Sequence, residues 1–290
     1  GSERMKSNFE VSQSYRKSFD RFLDTKIQND VILDLESEEI NAQNGLIFGL
    51  GFQIELSPNQ NLNLSGRTVL NQTDNVLDSQ TDIFSTNLQE FLSILNSQSI
   101  VDLYSQNHTF NLNHGWQLNN TNSLTSALSL GIFRNDKNTL QPNTLFEPDG
   151  KTIILIDDAE LDARTDIDLW SAKPDYEKEW TNFTFSSGLK YAHIATNNSF
   201  DFYNINNQQL ILDVSKSNDF NYTENVTAAY AIVNLKFNES LKLNAGARIE
   251  NTDSRGQLIS ESNVNNKDVP RNYTDFFPNV GLSFNNQKDH

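Results

Sequence analysis

The chain has 290 residues, with 22 Lys and Arg against 38 Asp and Glu, a formal net charge of −16. Only 36% of residues are hydrophobic, yet there are 19 Phe, 8 Tyr and 3 Trp, too many aromatics for an acidic disordered chain. No apolar run approaches the ~20 residues of a membrane-crossing helix, the acidity argues against a nucleic-acid partner, and without Cys there is no disulfide or thiolate chemistry.

Taken from the start, Gly1-Ser2 reads as a cloning remnant, with no apolar stretch of a signal peptide behind it. Arg4, Lys6, Arg16, Lys17, Arg21 and Lys26 then lie among Ser and Asn. Residues 1–40 are therefore expected to be a polar lead-in, solvated or folded as strand, with a first weak strand over residues 30–36, where Val31, Leu33 and Leu35 alternate. Residues 41–290 form the second unit.

In that unit the governing signal has a period of two. Leu46, Phe48, Leu50, Phe52, Ile54 and Leu56 alternate with Ile47, Gly49, Gly51, Gln53 and Glu55, which makes a strand with one apolar and one small or polar face. The pattern returns at Phe110, Leu112, Trp116 and Leu118, then at Leu124, Leu128, Leu130 and Ile132. It recurs at Phe183, Phe185, Leu189 and Tyr191, and at Leu241, Leu243, Ala245, Ala247 and Ile249. These stretches match the ~9–11 residues with which a tilted strand crosses a bilayer.

The connections alternate too. Short turns are expected at residues 57–61, 119–122, 177–180 and 238–240, and long polar loops at about 71–107, 134–164, 196–221 and 253–273. Outer-membrane barrels show this asymmetry. Trp116, Trp180, Phe183 and Phe237 fall beside the short turns, as an interfacial aromatic girdle would. The fold expected is all-β: an antiparallel meander of about ten long strands, part of a transmembrane barrel wall.

Two loop segments differ. Phe84, Leu88, Phe91, Leu92 and Leu95 have helical spacing, with Asp82 placed as N-cap, so a short helix is expected near 82–103. Asp157, Asp158, Glu160, Asp162, Asp166 and Asp168 form an acidic cluster whose first four members are weak calcium ligand candidates; a solvated charged loop is the plainer reading. No GxSxG, HExxH, Walker loop or dinucleotide fingerprint occurs, and His108, His114 and His193 lack ligand-like spacing. No catalytic residue, cofactor or ligand-binding residue is nominated.

Several blocks are family-like. Residues 45–62 resemble the strand, Ser-Pro/Asn turn, strand units of Bacteroidetes outer-membrane β-barrel proteins. Ser171-Ala-Lys-Pro-Asp-Tyr-Glu-Lys is similar to that family's Ser-x-Lys-x-Asp-Tyr strand, and Phe220-Asn-Tyr-Thr-Glu-Asn-Val-Thr-Ala-Ala-Tyr to its Phe-x-Tyr-x-Glu strand. Leu243-Asn-Ala-Gly-Ala-Arg-Ile-Glu-Asn-Thr resembles Gly-Leu-Arg-x-Glu-x-Thr, and Tyr273-Thr-Asp-Phe-Phe-Pro-Asn resembles Tyr-x-x-Leu-Phe-Pro-Ser. The resemblance, over about residues 41–284, is to the barrel of TonB-dependent-receptor-like proteins. It implies a Gram-negative outer-membrane home, lipid around the wall, and a plug and TonB system acting through a longer protein that imports a nutrient. With about ten strands against the 22 of full transporters, and an end at Lys288-Asp289-His290 rather than an aromatic, the chain is expected to be a non-enzymatic fragment whose raw edges invite self-association. Asp175, Tyr176, Arg248 and Glu250 are strand positions to watch, Arg248 and Glu250 on a polar lumen as paired charges. The rival is a soluble extracellular all-β adhesin or glycan-binding domain, burying one sheet face against another.

Overall fold

The computed structural model describes residues 4–87, 90–260 and 267–284. Gly1-Ser2, Leu88 and Lys288-Asp289-His290 lie outside them. Thirteen strands form one sheet: β1 (Met5–Gln28), β2 (Val31–Ser57), β3 (Gln60–Ser85), β4 (Phe91–Asn119), β5 (Asn122–Gln141), β6 (Asn143–Phe146), β7 (Ile153–Ile156), β8 (Ala159–Trp180), β9 (Phe183–Asn206), β10 (Gln209–Leu212), β11 (Asn218–Lys236), β12 (Leu241–Ile259) and β13 (Lys267–Phe284). Ten of them make a continuous antiparallel path, β1-β2-β3-β4-β5-β8-β9-β11-β12-β13; β6, β7 and β10 are short additions at one end. The expected meander of about ten strands is this path.

Each strand packs only against its neighbours in the ladder, so the sheet is a single layer. Its consequence is plain in the burial. Among the described residues the buried hydrophobic ones are Ala159 and Ala228, and no large side chain is fully buried. A soluble domain of this length buries well over half the surface of its unfolded chain around a core of Leu, Ile, Val and Phe. The soluble two-sheet rival is thereby overturned: the apolar face has no second layer to meet.

That face is continuous across the ladder. Opposed residues share a face, so the register carries Leu50 onto Phe9 of β1 and Gly66 of β3, then onto Phe110, Leu130 and Trp170. The same row proceeds through His193, Asn225 and Asp253 to Asn272 of β13. A row that begins in the apolar belt therefore ends outside it. On β13 the belt is Phe276, Val280, Leu282 and Phe284, displaced toward the short-turn end. Such a drift, about one residue per strand, with ~3.4 Å per residue along a strand and ~4.8 Å between strands, is a tilt of roughly 30–35°. This is close to the ~35–45° at which barrel strands lean.

The short turns lie flush with the belt. Ser57 opposes Gln60, Asn119 opposes Asn122, and Trp180 opposes Phe183, while Asn238 Oδ1 accepts from the Leu241 amide at 2.8 Å to close the fourth. The third turn is thus at residues 181–182, slightly beyond the expected 177–180. Trp180 and Phe183 stack across it with centroids 4.7 Å apart.

At the opposite end the structure corrects the sequence reading. The long polar stretches are mostly strand, not loop. β2 is 27 residues long and β4 is 29, far more than a bilayer needs. The weak strand at 30–36 and the strong one at 46–56 are one strand, β2, which runs unbroken past residue 40. Among the described residues the expected helix is absent: Asp82 lies in β3, Phe91, Leu92 and Leu95 in β4, and Phe84 packs on Phe91 with centroids 5.0 Å apart. Phe84 and Phe91 are a cross-strand pair beside a bulge, a contact their helical spacing imitates. Two further hairpins are tight. Asn29 (φ 53°) turns β1 into β2, and Asn207 and Gln208 (φ 49° and 64°) join β9 to β10, the left-handed pair of a two-residue turn.

Candidate functional site: the inner face of the wall

Because the apolar belt meets lipid, the opposite face of every strand looks inward. At belt level that face carries charge, and its best-defined cluster spans β8 to β12. Asp175, Gly188, Tyr230 and Arg248 oppose one another in one register row. Lys173 Nζ lies 2.9 Å from Asp175 Oδ2, and the Tyr230 hydroxyl donates to Asp175 Oδ1. The same ammonium lies 5.7 Å from the Tyr230 ring centroid. Arg248 Nε donates to Glu250 Oε2 at 2.9 Å.

Gly188 makes this possible. A Cβ there would run into Asp175 Oδ1 and come within 2.7 Å of the Tyr230 ring, so only glycine lets the ring cross β9 to reach β8. Chemically, Lys173 is paired with Asp175 and Arg248 with Glu250, and the Tyr230–Asp175 bond fastens β8 to β11 across β9. Lys190 of β9 stands on the same inner face, in the row of Ala228 and Glu250. Among the watched positions, Asp175, Arg248 and Glu250 lie on the inner face. Tyr176 lies on the outer face, opposite Leu124.

Beyond the belt the outward face becomes acidic: Glu36 and Glu38 of β2, Asp74 and Asp78 of β3, and Asp166 and Asp168 of β8 all point away from the interior. Part of this charge is compensated. Arg134 Nη2 lies 2.6 Å from Asp168 Oδ1 and its Nε 3.5 Å from Asp166 Oδ1, while Arg255 pairs with Asp268. That pairing holds the Asp268 carboxyl below the usual carboxylate range.

The calcium candidates do not converge. Asp157 and Asp158 lie in the link between β7 and β8, where Asp158 Oδ1 accepts from the Asn143 amide at 3.0 Å. Glu160 and Asp162 stand on β8, both accepting from Asn138 Nδ2, at 2.8 and 2.7 Å. Among the described residues no three His, Asp or Glu side chains form a group that could hold a metal ion. His108 and His193 face outward at the belt's upper margin, bound to Thr68 Oγ1 at 3.0 Å and Asn225 Oδ1 at 2.8 Å. An apolar groove of about 680 Å³ over Gly66, walled by Phe48, Leu50, Phe110 and Leu130, lies in the belt itself. Its position makes it a seat for acyl chains.

The model of the outer membrane protein beta-barrel family matches residues 118–290, more than half of the chain. The chain belongs to that family. Three solved structures are similar over nearly all of it at low identity. The outer membrane protease OmpT of Escherichia coli is 10% identical, covers 97% of this chain and 96% of its own, and has a TM-score of 0.32. The ferric-catecholate import receptor Fiu of E. coli K12 is 11% identical over 95% of this chain and 46% of its own, with a TM-score of 0.46. The siderophore receptor PiuA of Acinetobacter baumannii is 12% identical over 97% and 47%, with a TM-score of 0.45. The chain thus spans just under half the length of the two receptors. No curated protein matches it.

Proposed function

We propose that this outer-membrane barrel chain is a section of the wall of a TonB-dependent-receptor-like transporter for nutrient uptake, of the Bacteroidetes type, in the outer membrane of a Gram-negative bacterium. The observation that carries the reading is the oblique apolar belt on a sheet without a core. Such a belt is stable only against lipid, and its slope is that of strands leaning in a closed wall. The function is that of a scaffold and conduit rather than a catalyst. Long outer strands and loops would receive a solute, and a plug supplied by the longer protein would move when the TonB system pulls on it.

The sheet's edges support the reading of a section. Among the described residues β1 pairs only with β2, and β13 only with β12. Phe9, Val280, Leu282 and Phe284 on these edges are 68–78% exposed. Inside a bilayer unpaired backbone groups cost several kcal/mol each, so both edges call for partner strands, from the longer protein or from another copy.

The test is liposome flotation coupled to size-exclusion chromatography with light scattering, with and without detergent. The expected result is aggregation in plain buffer, dispersal in detergent, and flotation with lipid. A compact 33 kDa monomer in plain buffer that ignores liposomes would sink the proposal.

A further inference from the structure

The two edge strands carry inward charges that the rest of the wall leaves unpartnered. On β1 they include Arg16, Asp20 and Asp24, and on β13 they are Lys267, Arg271 and Asp275. None of these six forms an ion pair among the described residues. Two of them stand opposite a like charge, Asp20 facing Glu39 of β2 and Asp275 facing Glu250 of β12, an arrangement that weakens a ladder. The outward residues of the same strands are unfinished too. Phe9, Val11 and Tyr15 on β1 and Phe276, Val280 and Leu282 on β13 are all exposed.

These two edges are complementary to each other. β1 rises from the short-turn end and β13 descends to it, so they can pair antiparallel. With Phe9 set against Leu282, Asp24 meets Lys267, Asp20 meets Arg271 and Arg16 meets Asp275 on the inner face. On the outer face Val11 meets Val280 and Tyr15 meets Phe276, and no like charges meet on either face. Glu10 falls against Gly281, while Lys6 and Lys26 lie past the ends of β13. Other registers lose this match. A slip of one residue turns the lipid face inward. A slip of two sets Lys267 against Phe22 or Lys26, and a slip of four sets Arg271 against Arg16 or Asp275 against Asp20.

The slope of the belt selects the same register. The row that starts at Phe9 reaches β13 at Asn272. Leu282 lies ten residues further along β13, and the new seam is the tenth step from strand to strand. That is one residue per strand, the drift the belt already shows, and a closed wall needs stagger and tilt to agree. Resting on the barrel-wall reading, we infer that β13 of one copy pairs with β1 of a second copy in this register, head to tail, so that two copies complete one wall of twenty strands. A second copy is the source because within one copy β1 pairs only with β2 and β13 only with β12 among the described residues. Backbone hydrogen bonds hold such a seam in lipid, the three charge pairs set its register, and a head-to-tail contact closes when the rotation per copy completes a turn.

Because the chain holds no cysteine, two introduced thiols report the seam alone. The 290-residue chain carrying Ser12→Cys and Asn279→Cys, which face each other inward in this register, is folded into phosphatidylcholine vesicles and treated with a short thiol-specific cross-linker. The expected product has twice the mass of the 33.0 kDa chain. Asn8→Cys with Asn279→Cys, four residues out of register, should give at least fivefold less of it. Arg271→Asp should lower the yield from the Ser12→Cys and Asn279→Cys chain at least threefold, and adding Asp20→Arg, which restores an opposite pair, should recover it. A link within a single chain, equal yields from the two cysteine pairs, no link at all, or charge reversal without recovery overturns the inference. Liposome flotation of each protein separates the two readings: a chain that floats yet gives no doubled product defeats this inference alone, whereas one that does not float defeats the barrel reading.

Discussion

Along each long strand, the half beside the short turns and the half beyond it obey opposite rules. On β3 the outward residues of the first half are Leu62, Leu64, Gly66, Thr68 and Leu70, and the inward ones include Asn63 and Arg67; in the second half Asp74 and Asp78 point outward beside Val76, while Leu77 and Ile83 point inward among Asn, Ser and Thr. The alternation continues as far as the bulge at Ile83–Phe84, and what changes is the charge on the outward face. The change falls between Leu70 and Gln72 on β3, Ile132 and Arg134 on β5, Trp170 and Asp168 on β8, and Ile249 and Asn251 on β12. One strand therefore records two solvents. Where lipid lies outside, the outward residues are apolar or small; where water lies outside, carboxylates and amides join them, although Ile40, Val76 and Ile100 still point outward. The crossover marks the outer margin of the hydrocarbon.

The sharpest way to break this comparison is to place the same charge on both halves of one face. Leu50→Arg, at mid-belt on β2, should cost about 2–4 kcal/mol of folding free energy in lipid vesicles, and Ile40→Arg, outward on the same strand beyond the belt, about 0–1 kcal/mol. Urea titration of the two proteins in vesicles decides it, and equal costs would mean the crossover has been misplaced. The inner face of the membrane half comes next. Gly188→Ala should cost about 1–3 kcal/mol, because the new methyl meets Asp175 and the Tyr230 ring. Tyr230→Phe, which removes only a hydroxyl bonded to a carboxylate, should cost about 1–2 kcal/mol. The same titration ranks them, and a neutral Gly188→Ala would show that Tyr230 does not cross β9. In the water-bathed half, Arg134→Ala should cost at most ~1 kcal/mol despite its two carboxylate partners, since exposed pairs contribute little.

The smallest effect is local. Asp213 accepts from the Ser215 hydroxyl at 2.6 Å and from its amide at 3.0 Å, which holds its carboxyl below the ordinary value, the hydroxyl acting most strongly. A carboxylate lowered on folding stabilises above its unfolded pKa and loses that contribution as pH falls through the folded one. Protection of the Ser215–Ser217 amides against exchange, taken relative to the intrinsic rate at each pH, should therefore stay high at neutral pH and fall only in acid below the usual carboxylate range. Asp213→Asn should remove that pH response.

How much of this was legible beforehand follows the same division. In the membrane half, the contrast between Leu46, Phe48, Leu50 and Gly49, Gly51, Gln53 is large, and strand, face and turn could be read from it. In the outer half, Asn71, Thr73 and Asn75 differ little from Gln72 and Asp74, so polar strand looks like polar loop. The Phe84–Phe91 pair shows the converse error, since a cross-strand contact seven residues apart has the spacing of two helical turns. The inner-face cluster was legible only as separate residues. Tyr230 and Asp175 are 55 positions apart, and what joins them is the register through Gly188, which no local pattern encodes.

The single layer has one more consequence. Because each strand touches only the next, the wall is close to a one-dimensional object, in which cohesion is a sum of neighbour terms and no distant residue is needed to hold any hairpin in place. Excising an adjacent pair such as β11 and β12 removes one descent and one ascent together. The strands that come to lie side by side, β9 and β13, still run in opposite directions with their outward faces on the same side. Such a wall can change its circumference two strands at a time without redesigning what remains, so a pore of this construction can widen or narrow by whole hairpins while keeping its chemistry.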